Sequence, residues 1–99
     1  MIVVSGEIVV APEDMERLRP AAIRMMAETA KEDGCILYTF AEHIGRPGCI
    51  RIYEEWESEA HLEAHFNTPH MAEWRAAFRD VTQLSREVKV LSGCSVRTL

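Results

Sequence analysis

Hydrophobic positions near the start of the chain follow first a strand period and then a helix period. Residues 2–10 are mostly β-branched and apolar, with Gly6 inside the run, which predicts a first strand that is bulged or closely approached at the glycine. Pro12 then opens a helix. The predicted buried stripe of this helix has helical spacing and comprises Met15, Leu18, Ala22, Met25 and Met26. Pro20 is expected to kink or break the helix, and Gly34 to end it.

The middle of the chain has the pattern of a β-hairpin. Residues 35–44 alternate imperfectly, residues 45–48 read Gly-Arg-Pro-Gly, and residues 49–56 are rich in Ile, Tyr and Trp. Both strands carry apolar or aromatic side chains at each parity, whereas a sheet with one wet face alternates more cleanly. We therefore expect both faces of the sheet to be covered.

Two short helices and a strand complete the predicted order. Ser58 is placed to cap one helix, and Thr68 with Pro69 to start the next. Residues 87–96 supply the last strand. The order β-α-β-β-α-β predicts an α+β, ferredoxin-like fold with a four-stranded antiparallel sheet, in a single domain of residues 1–99. Because the helices cover one face of such a sheet, dimerisation is expected to bury the other.

Composition and charge exclude several classes of function. The chain has 16 acidic and 11 basic side chains, a formal charge of −5 and no basic cluster, so nucleic acid is not an expected partner. Its short apolar runs predict a soluble cytoplasmic protein with no membrane partner. Cys35, Cys49 and Cys94 form no C-x-x-C pair, so neither a disulfide framework nor a zinc finger is indicated.

The most specific motif lies between Tyr53 and His70. Its form, E-x-W-x-S-x-x-x-L-x-x-H-x-x-(S/T)-P-H, resembles the antibiotic biosynthesis monooxygenase family of small dimeric α+β barrel proteins, which also contains quinol monooxygenases. The resemblance implies a homodimer with two sheets face to face, and a pocket in each subunit between the sheet and the helices. It also implies oxygenation of a small phenol, anthrone or quinol by O₂ without flavin, haem or metal, so no cofactor is expected.

Such a reaction needs a base in an apolar pocket, because an electron-rich phenol must lose a proton before its anion passes an electron to O₂. His65 is the predicted proton acceptor, since an imidazole titrates near neutral pH and this position lies at the edge of a helical apolar stripe. Trp56 is the second candidate catalytic residue, by its family position. The expected contacts to a small aromatic substrate are Tyr38, Phe66, Asn67 and Trp74.

Each candidate also has a purely structural interpretation. His65 can be a packing residue bonded to backbone, Trp56 a core plug, and Asn67 a residue that makes a local turn bond. Tyr38 and Tyr53 lie on opposite strand parities, so at most one of them lines a helix-side pocket. By family position, Tyr38 is the better candidate.

Two other functions stay open at this point. A dimeric ligand-binding or stress-response module would keep the pocket without turnover. Haem-degrading relatives share the fold and the tryptophan but use an Asn on the first strand, where this chain has Ser5 and Glu7. Glu57, His61 and His65 have the spacing to share a metal, but the Glu of H-E-x-x-H is absent, so no metal site is predicted.

Overall fold

The computed structural model describes all 99 residues, and its elements follow the predicted order. They are β1 (Ile2–Val10), a 3₁₀ turn (Pro12–Asp14), α1 (Met15–Thr29), β2 (Cys35–Glu42), β3 (Cys49–Trp56), α2 (Glu59–His65), α3 (Pro69–Ala77) and β4 (Gln83–Leu91). The sheet is antiparallel with strand order β2-β3-β1-β4, which is the predicted ferredoxin-like arrangement. None of the helices combines the length and apolar character that a membrane crossing requires.

Local chemistry starts the helices where the sequence predicts. The Ser58 hydroxyl accepts a hydrogen bond from the His61 N–H, and the Thr68 hydroxyl accepts one from the Met71 N–H, so each satisfies a donor that the helix cannot. The helix α1 continues through Pro20 without a break. Burial of its apolar stripe outweighs the one hydrogen bond that proline removes.

The last strand differs from its predicted limits of residues 87–96. It begins at Gln83, opposite Val10, and its pairing with β1 ends at Leu91, opposite Val3. The strand therefore extends as far as β1 offers backbone partners, and its own hydrophobic pattern does not set its limits. Val96 lies beyond the sheet and is exposed.

Gly6 shows the close backbone approach that its position in β1 predicts. A Cβ atom at this position would lie 2.2 Å from the backbone oxygen of Glu87 in β4. The missing side chain therefore lets β4 pair closely with β1.

Even-numbered positions of β1 and β3 face the helices. Their apolar side chains form two core clusters with residues from the helices. The larger cluster comprises Ile8, Val10, Met15, Leu18, Met25, Ile50, Ile52 and Trp74, and the smaller comprises Ile2, Val4, Trp56 and Leu62. Glu54 has the same parity as Ile52 and Trp56, so β3 places one carboxyl group on this apolar side.

The edge strand β4 is open to solvent. Eight of its nine residues are exposed, including the apolar side chains of Leu84, Val90 and Leu91. On the face of the sheet away from the helices, Glu7 accepts hydrogen bonds from Arg46 at 2.9 Å and from the Cys49 thiol at 3.1 Å. The chain thus leaves an apolar sheet edge uncovered beside a mixed sheet face.

Candidate active site

A cavity of about 450 Å³ lies between the helix side of the sheet and the helices α2 and α3. Aromatic rings form much of its wall. Phe40 stacks on Trp74 at a centroid distance of 5.0 Å, and Phe78 meets Trp74 edge-on at 4.9 Å. Such a wall suits a flat apolar ligand.

A second cavity, of about 190 Å³, lies between α1 and β2. Its polar groups are Arg19 and Glu42, which form an ion pair with each other at 2.9 Å. Because both groups are committed to that pair, this cavity lacks a free proton acceptor. The larger cavity is therefore the candidate site.

His65 lines the larger cavity from the end of α2 and is 1% exposed. Its Nδ1 atom lies 2.7 Å from Oε2 of Glu32. A carboxylate only accepts hydrogen bonds, so we assign the proton to Nδ1. In the neutral imidazole, Nε2 then carries a lone pair, and no protein group bonds to it.

Burial holds His65 in its neutral form. Loss of hydration lowers the pKa of this imidazole, and the bond to Glu32 offsets part of that effect. The ring packs against Trp56 at 4.9 Å and Tyr38 at 5.2 Å between centroids. The site therefore presents an oriented, unprotonated nitrogen at neutral pH, which is what a general base requires.

Glu32 joins three segments that are far apart in the sequence. Its Oε2 atom also lies 2.7 Å from Nε2 of His70, so one oxygen serves the imidazoles of α2 and α3. These three side chains are also arranged closely enough to suggest a metal site. However, two ligands of a tetrahedral zinc ion stand about 3.3 Å apart, given bonds of roughly 2.0–2.1 Å. The observed distances fit hydrogen bonds.

The grouping of Glu57, His61 and His65 that their spacing would allow does not form. His61 lies instead beside Asp33, at 3.5 Å, and its Nδ1 atom is 2.8 Å from the Ser58 hydroxyl. One helical turn separates His61 from His65, but the His61 side chain is 30% exposed and the His65 side chain 1% exposed, so the two imidazoles have different surroundings.

Glu54 is the buried carboxyl group of the cavity, with 6% of the residue exposed. Its Oε1 atom accepts a hydrogen bond from the Trp56 indole at 2.8 Å, and Oε2 has no partner in the protein. Burial raises the pKa of Glu54 to about 7, the indole bond lowers it, and the negative charge of Glu32 raises it. Near neutral pH this carboxyl group can both hold and release a proton.

Tyr38 contributes a neutral phenol to the same cavity. Burial is the main reason that the pKa of its hydroxyl is raised, and the charges of Glu54 and Glu32 raise it further. The hydroxyl therefore keeps its proton and acts as a hydrogen-bond donor or acceptor, not as a base.

A change of Glu54 to Gln is expected to alter how stability depends on pH. The folded chain holds this proton to about pH 7 and the unfolded chain to its ordinary value near 4.5, so stability falls as pH rises between those values. Above pH 7 the free energy of unfolding is lower by about 3 kcal/mol for this reason. Glu54→Gln should therefore gain about that much relative to the original chain between pH 5 and pH 8, as measured by urea unfolding.

The exposed Glu57 provides the matched control for this measurement. Glu57→Gln should keep the original pH dependence, since Glu57 lies on the surface. The lowered pKa of His65 costs stability as pH falls below about 6.5, and this contribution cancels because all three proteins carry it. Identical pH dependence in the two variants would contradict the assigned burial of Glu54.

Four of the six residues predicted for the site line the cavity, namely Tyr38, His65, Phe66 and Trp74. Trp56 does not line it: this side chain is fully buried behind His65 and belongs to the smaller core cluster. Asn67 is exposed outside the cavity, and its amide donates to the Glu63 carbonyl at 3.3 Å. The structural interpretations of these two residues are the ones that the geometry supports.

The site also contains two acidic residues, Glu54 and Glu32, that were not predicted as site residues. Glu54 has a signal in the sequence, because a carboxylate interrupts the apolar parity of β3 between Ile52 and Trp56. Glu32 has no such signal. It follows α1 in a polar stretch, and only the packing of the helices brings it to His65.

The chain is similar to several known proteins. The model of the antibiotic biosynthesis monooxygenase family matches residues 1–77. A Synechocystis protein of uncharacterised function is 30% identical over 98 residues, which cover 99% of this chain and 67% of that protein. The "Probable quinol monooxygenase YgiN" of Escherichia coli K12 is 48% identical over 40 residues, which cover 39% of this chain and 38% of that protein.

Solved structures share the whole architecture. Rv0793 from Mycobacterium tuberculosis has a TM-score of 0.86 at 25% identity and is covered over 98% of both chains. A conserved protein from Methanosarcina mazei has a TM-score of 0.83 at 26% identity, over 91% of this chain and 89% of that chain. The matches confirm the α+β ferredoxin-like fold.

Proposed function

The chain belongs to the antibiotic biosynthesis monooxygenase family, and on that premise we propose that it is a cofactor-independent monooxygenase that oxidises a small phenolic or quinol compound with O₂. One observation carries the proposal. The Glu32 carboxylate holds Nδ1 of His65 at 2.7 Å, so Nε2 has no protein partner, and His65 lines an aromatic-walled cavity. The local match to a protein named as a quinol monooxygenase supports the substrate class.

His65 starts the proposed reaction. Nε2 takes the proton of a substrate hydroxyl, and the Glu32 carboxylate stabilises the imidazolium that forms. The bond from Nδ1 keeps the ring in the orientation and tautomer that this transfer needs. The ring of the substrate lies against the wall of Phe40, Trp74 and Phe78, which excludes water from the anion.

The proposed redox step needs only the substrate and O₂. The phenolate passes one electron to O₂, and the radical pair joins through a new C–O bond to give a peroxide on the ring. Loss of the ring C–H proton and cleavage of the O–O bond leave a carbonyl and water. For a hydroquinone, the sum is hydroquinone plus O₂ to hydroxyquinone plus water, so atoms and electrons balance.

The cavity offers little support for the haem-degrading alternative. The first strand presents Val4 and Ile8 to it, whereas Ser5 and Glu7 have the opposite parity and face away from the helices. The polar side chain that such relatives place on this strand therefore has no counterpart in the cavity.

We also propose a homodimer, as the family resemblance implies. The exposed apolar side chains of Leu84, Val90 and Leu91 on the edge strand support it, because an uncovered apolar strand edge favours association. Light scattering at micromolar protein is expected to give about twice the 11.3 kDa of the chain. A species of 11.3 kDa alone would contradict the dimer without affecting the assignment of the base.

Oxygen consumption by the purified protein, freed of metal and haem, tests the function. A panel of hydroquinones, naphthohydroquinones and anthrones should include a compound that is consumed with O₂ above its autoxidation rate. With a hydroquinone, hydroxyquinone and water should form in the proportions given above. Saturable binding of these compounds without O₂ uptake would instead favour the ligand-binding module, and a Soret band on haem titration would favour haem binding.

A further inference from the structure

We propose that Glu54 is the proton donor of this site, delivering its proton to the departing oxygen when the O–O bond of the ring peroxide breaks. The inference rests on the proposed oxygenation and assigns its last step to a second residue. Nothing in the family motif requires this role, because the motif contains the residue but not its protonation state.

The position of Glu54 follows from strand parity. It pairs with Val4 of β1 and with Tyr38 of β2, in the middle of the sheet, and its side chain points to the helices. His65 reaches the same cavity from α2. A substrate ring in this cavity thus has a nitrogen base supplied by the helices and a carboxyl group supplied by the sheet.

One carboxyl oxygen of Glu54 is free to form a hydrogen bond with a ligand. The Trp56 indole occupies Oε1 at 2.8 Å and so orients the carboxyl group, while Oε2 has no partner. Oε2 is not closed off from solvent, since Thr29 Oγ1 is the one buried side-chain atom without a partner, so a ligand in the cavity can reach it. A hydroxyl or peroxide oxygen of a bound substrate would bond to it.

The charges around Glu54 keep its proton in place. Burial and the nearby Glu32 both disfavour the carboxylate and raise its pKa. The elements around the cavity bring these titratable and charged groups near it: Glu32 after α1, Cys35 and Tyr38 on β2, His65 on α2, Arg75 on α3 and Arg86 on β4. The first strand β1 adds only the apolar Val4 and Ile8. The same burial lowers the pKa of His65. When the pKa of one group in an active site is raised and that of another is lowered, the first can act as the acid and the second as the base.

The proposed step is balanced with these groups. The His65 imidazolium formed in the first step gives its proton to the peroxide anion. Neutral His65 then takes the C–H proton of the hydroperoxide-bearing carbon, the O–O bond breaks, and the departing hydroxide takes the proton of Glu54 and leaves as water. The imidazolium and the Glu54 carboxylate then exchange one proton, directly or through solvent, and the site returns to its starting state. Without the proton donor, the adduct can revert and release hydrogen peroxide with the simple quinone, which also balances.

Glu54→Gln tests this role, because the amide keeps the shape of the carboxyl group but cannot supply the proton. With a substrate that the original protein oxygenates, we expect kcat to fall about 100-fold with little change in KM. The hydrogen peroxide released per O₂ consumed should rise toward one. The original protein should lose rate as pH rises above 7 and Glu54 loses its proton, and in Glu54→Gln this loss should be absent.

Two further variants make the test specific. Glu54→Asp keeps an acid and should recover part of the coupling between O₂ uptake and hydroxyquinone, whereas Glu57→Gln makes the same change on the surface and should behave as the original protein. If Glu54→Gln keeps the original kcat and peroxide yield, Glu54 is not the donor although the proposed function stands. If the original protein consumes no O₂ with any compound of the panel, both proposals fall.

Discussion

Replacement of His65 by Ala is expected to lower kcat for quinol-dependent O₂ consumption by about 10²- to 10⁴-fold, the usual contribution of a general base. KM should change little, because the aromatic wall formed by Phe40, Trp74 and Phe78 is retained. Removal of the imidazole also leaves a space on the cavity, so added imidazole should restore part of the rate. Initial rates with an oxygen electrode, each corrected for autoxidation, measure both effects.

His61 supplies the matched control on the same helix. It carries the same imidazole but bonds to Ser58 outside the cavity, so His61→Ala should keep most of the activity. Circular dichroism at the assay temperature establishes that both variants are folded. Full activity in folded His65→Ala would show that another group takes the proton.

Glu32 offers a second check on the assignment of the tautomer. With Glu32→Gln, the amide no longer requires a donor at Nδ1 of His65, and the imidazolium loses its stabilising charge. The rate should therefore fall less than for His65→Ala but in the same parameter, kcat. A change confined to KM would mean that Glu32 shapes the cavity and does not orient the base.

Replacement of Trp56 by Ala is expected to lower the free energy of unfolding by about 3–5 kcal/mol, as for other large buried aromatic residues. Trp56 is fully buried against Ile2, Val4 and Leu62, and its loss leaves both a void and an unpaired carboxyl oxygen on Glu54. The whole free energy of unfolding of such a domain is only about 5–15 kcal/mol. Urea unfolding at a fixed protomer concentration measures the change.

Two other substitutions separate packing from hydrogen bonding. Trp56→Phe keeps most of the apolar volume but removes the indole donor, so it should cost less than Trp56→Ala while raising the pKa of Glu54 further. Phe66→Ala removes a ring that is 39% exposed at the rim of the cavity, and it should cost well under half as much as Trp56→Ala. Equal losses for Trp56→Ala and Phe66→Ala would contradict the role of Trp56 as a core residue.

Much of the fold was predictable because its determinants are local. The period of apolar residues predicts β1 and the buried stripe of α1, and the hydroxyls of Ser58 and Thr68 mark the starts of α2 and α3. The limits of β4 were predicted wrongly, at residues 87–96 instead of Gln83–Leu91. An edge strand takes its limits from the backbone of its neighbour, which its own side chains do not record.

The site was predictable only in part. Four of the residues predicted from the motif and the helical spacing line one cavity, namely His65, Tyr38, Phe66 and Trp74. They did not distinguish Trp56, which packs behind the cavity, from a residue that lines it, because both are large aromatics on the same side of the sheet. Asn67 follows α2 directly, and its amide satisfies a carbonyl of that helix instead of reaching the cavity.

The sequence by itself determined the order of the elements, the faces that they bury and the histidine that is the candidate proton acceptor. These features depend on periodicity and caps, which act within a few residues of the chain. Only the tertiary structure decided which groups share the cavity and in which protonation state. Glu32 meets His65 across 33 residues, and Glu54 keeps its proton because neighbouring elements remove water from it. Both effects depend on distances between packed elements, and such distances arise only when the chain has folded.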